Sequence, residues 1–120
     1  MASYMKKSFD TPDEVRTFAH GKLDVVSLGS HVIARTSFEP GWKWSEDIKP
    51  KVGTDSCQKH HVGYATEGRL SVVTDDGDEF EIQAGDVYEV QPGHDAWVVG
   101  NDNFVGLEFE GKTAEEFSKK

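Results

Sequence analysis

Apolar residues in this chain come in short runs, and each run is closed by a turn signal. Residues 23–28 are mostly apolar, and residues 32–38 form a second run that ends at Glu39-Pro40-Gly41. After a polar stretch over 45–55, further runs occupy 57–66, 69–74, 80–82, 87–91, 96–99 and 104–110. Between them lie Glu67-Gly68, Asp75-Asp76-Gly77, Ala84-Gly85-Asp86, Pro92-Gly93 and the polar stretch 100–103. Asp-Gly readily supplies the positive φ angles of a tight hairpin. Many short strands with turns at roughly eight- to twelve-residue spacing predict an all-β sandwich or barrel. Two helices are expected outside the strands. Thr11-Pro12-Asp13-Glu14 has a cap, a proline at the first helical position and a carboxylate placed for a capping box, so a short helix is predicted to end before Gly21. Thr113-Ala114-Glu115-Glu116 repeats the capping pattern at the other end. The expected organisation is an N-terminal extension over 1–20, a β-barrel over 21–111 and a tail over 112–120. Phe104, Leu107 and Phe109 are the expected core of the last strand.

Two segments carry more information than strand propensity. One is Gly85-Asp86-Val87-Tyr88-Glu89-Val90-Gln91-Pro92-Gly93-His94-Asp95-Ala96-Trp97, two strands about a Pro-Gly turn. The other is His60-His61-Val62-Gly63-Tyr64-Ala65-Thr66-Glu67-Gly68. Together they resemble the paired motifs of the cupin superfamily, over roughly residues 38–110. The resemblance implies a cupin-type antiparallel β-barrel of jelly-roll topology, to which the two capping patterns add short helices at the N- and C-terminal ends, and a homodimer. It also implies a divalent metal held by a pair of His and a Glu from the first motif and a further His from the second. Carried over residue by residue, the Glu position falls on His61, the His pair on Asp55 and Cys57, and the second-motif His on Ala96. None of the four usual ligand types is retained.

The residues present suggest another set. Asp55, Cys57 and His61 share strand parity, and side chains two apart on a strand share a face. His94 shares parity with Ala96 and can enter the same space from a neighbouring strand. Cys57, His61 and His94, with Asp55 as a fourth candidate, suit zinc, iron, copper or nickel better than magnesium or calcium. A plainer reading of the same residues makes Cys57 a small buried hydrophobe and the two histidines hydrogen-bonded pocket walls. His60 is expected outside the barrel and Lys59 at the pocket mouth, with its charge in water. Cys57 acting as a nucleophile requires a lowered pKa, which His61 can supply. Trp42 and Trp44 share a face and are expected to pack.

Composition narrows the function further. Thirteen basic against twenty-two acidic residues give a net charge of −9, which argues against nucleic acid and anionic membrane surfaces as partners. Cys57 is the only cysteine, so no intrachain disulfide forms. No apolar run has transmembrane length and the N-terminus lacks a signal-like segment, so a cytoplasmic protein is expected. The first expectation is a small-molecule-binding cupin with a divalent metal in its pocket. The alternatives are a metal-dependent oxygenase, isomerase or lyase acting on a small polar substrate, and a non-catalytic sensory or accessory module.

Overall fold

The strand pattern read along the chain produces two antiparallel sheets facing each other. The structure is a computed structural model describing residues 3–111. Its elements are β1 (Glu14–Phe18), β2 (Gly21–Leu28), β3 (His31–Phe38), α1 (Trp44–Asp47), α2 (Lys49–Val52), β4 (His61–Glu67), β5 (Arg69–Thr74), β6 (Glu79–Gln83), β7 (Val87–Val90), β8 (His94–Val98) and β9 (Phe104–Gly111). One sheet has six strands in the order β1-β2-β3-β9-β4-β7, and the other has three in the order β6-β5-β8. The Asp75-Asp76-Gly77 turn forms as expected, with Thr74 O accepting from Gly77 N–H at 2.9 Å and Gly77 at φ +93°.

Four expectations need correction. The helix predicted from Thr11-Pro12-Asp13-Glu14 does not form, and the chain enters β1 there instead. Asp13 ties down a strand rather than capping a helix. Its N–H donates to Val25 O at 2.9 Å, and its carboxylate accepts from Ser27 N–H at 2.8 Å. Pairing with β2 along Glu14↔Val25 to Phe18↔Gly21 supplies more bonds than an isolated helical turn, so tertiary pairing overrides the local cap. The sheet therefore begins at residue 14, not 21. The short helices lie instead at α1 and α2, in the connection between β3 and β4, while the helix predicted at Thr113 lies outside the described residues. β4 starts at His61, so the strand read from Cys57 is shorter than expected. Finally, β9 turns Phe104, Gly106 and Glu108 inward and leaves Phe109 45% exposed, because parity from Phe104 excludes residues 107 and 109 from the inner face.

The core between the sheets is aromatic at one end. Phe38 stacks on Trp42 with centroids 3.8 Å apart and rings 3° from parallel, and the Phe104 ring lies 6.2 Å from that of Phe38. Trp42 and Trp44 are both buried, as their shared face predicts. Trp42 Nε1 has no hydrogen-bond partner among the described residues, a cost of about 1–3 kcal/mol that burial and stacking of so large a ring offset. Among the described residues no helix is long and apolar enough to cross a membrane.

Candidate metal centre and binding cavity

A cavity of about 480 Å³ runs between the sheets. Three chain segments bring donors to one end of it. β4 opens with His61, β8 opens with the buried His94, and Cys57 arrives from the loop before β4. Cys57 is placed by an isolated bridge to His94: its N–H donates to His94 O at 2.7 Å, and Gly93 N–H donates to Cys57 O at 2.7 Å. Shared parity along one strand is therefore not what unites Cys57 with His61. The ligand atoms of Cys57, His61 and His94 all lie within 4.8 Å of one another. Cys57 Sγ is 3.7 Å from His61 Nε2, and the two imidazoles meet edge to face with centroids 5.0 Å apart. Asp55 is exposed and stays out of this cluster. His60 points outward to Glu89, 2.9 Å away, as expected, and the exposed Lys59 contributes to the cavity lining.

The outer nitrogens of both rings are committed. His94 Nδ1–H donates to Gln91 O at 2.8 Å, which leaves Nε2 with its lone pair. His61 Nδ1–H donates to Glu108 Oε1 at 2.5 Å, and Tyr88 donates its hydroxyl to Glu108 Oε2 at 2.8 Å. Such a carboxylate behind an imidazole fixes its tautomer and raises its basicity. Tyr88 reaches Glu108 by crossing two glycines. A Cβ on Gly63 would lie 2.6 Å from the Tyr88 hydroxyl, and one on Gly106 2.9 Å from it.

Burial alone raises the Cys57 pKa, but hydrogen bonding by His61 and His94 outweighs it and lowers the thiol from 9.0 to about 6. For His61, burial favours the neutral ring, yet Cys57 and Glu108 on either side raise its pKa to about 9. Burial likewise opposes ionisation of Glu108, and the bonds from His61 and Tyr88 still hold its carboxyl below the usual value. Burial and the Glu108 charge push the Tyr88 hydroxyl up, so it stays a donor. The cluster is thus a thiolate, an imidazolium and a carboxylate in sequence near neutral pH. A thiolate and two imidazole lone pairs also form the donor set of a borderline divalent metal with an open fourth position, so these residues fit such an ion.

Glu108 and Tyr88 were absent from the sequence expectations. Even-numbered spacing from Phe104 points to Glu108, but the apolar Leu107 and Phe109 beside it masked that parity.

No protein-family model matches the sequence, and no curated protein matches it. Solved structures match the fold. A Cupin 2 conserved barrel domain protein from Salinispora arenicola superposes with a TM-score of 0.62 at 14% identity, over 99% of this chain and 98% of that one. An RmlC-like cupin family protein with a double-stranded β-helix fold, from Methanocaldococcus jannaschii, gives 0.61 at 8% identity over 96% and 98%. The chain has the cupin fold. A variant of Bacillus subtilis oxalate decarboxylase matches at 0.58 and 22% identity, over 82% of this chain and 28% of that enzyme. In this chain His61 stands where the motif resemblance expects a Glu, and the buried Ala96 stands where it expects the second-motif His. The carboxylate enters instead on β9, as Glu108, and bonds to an imidazole.

Proposed function

We propose that this cupin binds a small molecule in its barrel cavity and holds a divalent metal there through Cys57 Sγ and Nε2 of His61 and His94. The observation that carries the reading is the convergence of those three donors within 4.8 Å at one end of the cavity. Two details support it. Each imidazole spends its Nδ1–H on an oxygen and so presents Nε2 to the others, and Glu108 is held in place by Tyr88. Sulfur and imidazole donors favour zinc among the candidates. When bound, such a metal supplies a Lewis-acidic centre for ligand oxygens. The chain's own residues position that centre and keep it behind an apolar wall.

One observation favours a second reading. Cys57, His61 and Glu108 also stand in the order nucleophile, base and orienter, at 3.7 and 2.5 Å. The same sulfur cannot serve as metal ligand and free nucleophile at once, so metal content separates the two readings. Protein purified without chelator or His tag is expected to carry or take up one equivalent of metal, lost in both Cys57→Ser and His61→Ala. A wild type that holds no metal and takes up no zinc overturns the metal reading. A homodimer belongs to the same proposal. β1 and β7 end the six-stranded sheet, with Val15 and Val87 exposed. A monomer by solution mass measurement removes that part.

A further inference from the structure

The cavity walls are chemically lopsided. Cys57, His61, His94, Tyr88 and Glu108 gather where β4, β7, β8 and β9 meet. Elsewhere the lining is largely hydrocarbon: Leu23, Ala34 and Phe104 from one sheet, Leu70, Val72 and Ile82 from the other. Trp42 and Phe38 add an aromatic wall.

We propose that this cupin's ligand is a monocarboxylate with an aromatic or branched apolar body. Its carboxylate sits at the Cys57–His61–His94 end, and its body lies against Phe38, Trp42 and Leu70. The inference rests on the metal reading for the position of the head, and on the walls alone for the body.

Three considerations select this class. A volume of about 480 Å³ falls among pockets that enclose whole organic ligands, far more than a two-carbon diacid fills. A ligand polar along its whole length strands its donors and acceptors against hydrocarbon, and a wholly apolar one leaves the polar end unanswered. The sign of the head follows from charge: the proposed divalent ion and Lys59 on the cavity lining together outweigh the Cys57 thiolate and the Glu108 carboxylate. An anion completes that balance, whereas an ammonium opposes it.

The test uses zinc-loaded full-length protein. Zinc content is measured first, and phenylpropanoate, phenylpropanol and oxalate are then titrated by calorimetry and tryptophan fluorescence, which Trp42 and Trp44 in the cavity wall report. Phenylpropanoate is expected to bind roughly tenfold or more tightly than either of the others. Oxalate binding as tightly as the acid, or the alcohol equalling it, overturns the proposal. Failure of the acid to bind protein that does hold zinc overturns it too, and leaves the metal reading intact. Acid binding to protein that takes up no zinc sinks the metal reading and sustains the ligand class. Filling the apolar end by Ala34→Leu, or by Leu23→Trp at a partly buried site should the first variant not fold, is expected to weaken the acid about tenfold with zinc content unchanged. Unchanged affinity in a folded variant overturns the placement of the body.

Discussion

His61 sits between two negative groups, and its proton is the pivot of the site's chemistry. With Cys57 ionised above about pH 6 and His61 protonated up to about pH 9, the metal-free pair is thiolate–imidazolium between those limits. Two outcomes follow. Thiolate ultraviolet absorbance of the metal-free protein is expected to rise with a midpoint near pH 6, and to move toward the ordinary thiol value in His61→Gln. Zinc requires the neutral ring, so its uptake must displace the His61 proton. Affinity is therefore expected to keep climbing with pH until about 9, well past the point where an ordinary imidazole levels off. Near pH 7.5, calorimetry in buffers of different ionisation enthalpy should register about one proton released from this pair per zinc. Release of none would mean that the ring is already neutral.

At the scale of elements, β7 and β9 act together through Tyr88 and Glu108. Glu108→Gln leaves an oxygen to accept from His61 but removes the charge, and is expected to weaken zinc about ten- to a hundredfold. Tyr88→Phe, which frees one carboxylate oxygen, should weaken it less. Gly63→Ala places a methyl 2.5 Å from Leu107 O and 2.6 Å from the Tyr88 hydroxyl, so it should lower thermal stability and displace Tyr88 together. A Gly63→Ala protein with unchanged melting temperature and zinc affinity would show that the close approach is unimportant. The Asp-Gly and Pro-Gly turns are local signals, and they set the strands from residue 21 onward correctly except for the start of β4, which begins at His61 and not Cys57. Parity located His60 outside the barrel. What failed depended on distant chain. Thr11-Pro12-Asp13-Glu14 carries a good helix cap, but it lies beside a strand whose edge needs covering. Cys57 reaches His61 through a bridge to His94, which no spacing within 57–61 encodes. Glu108 was hidden by hydrophobic neighbours that face outward.

For the molecule as a whole, His61 belongs to the six-stranded sheet and His94 to the three-stranded one, so the proposed metal, shared by both, would cross-link the two layers. A metal bound only by the folded state stabilises it by mass action, about 2.7 kcal/mol at a hundredfold excess over Kd. The melting temperature is thus expected to climb with free zinc and to fall on chelation, and Cys57→Ser should abolish most of the response. Equal melting curves with and without zinc would speak against a cross-link.

The three-segment origin of the cluster also sets an order of events in time. Hairpins such as β5–β6 close over a few residues, but the sulfur cannot meet both rings until β4, β8 and the loop between α2 and β4 have all docked. Long-range closures of this kind come late in β proteins. The lowered thiol pKa is thus a built-in clock: during refolding near pH 7.5 its absorbance should appear only with the slowest phase, after backbone signals have begun to recover.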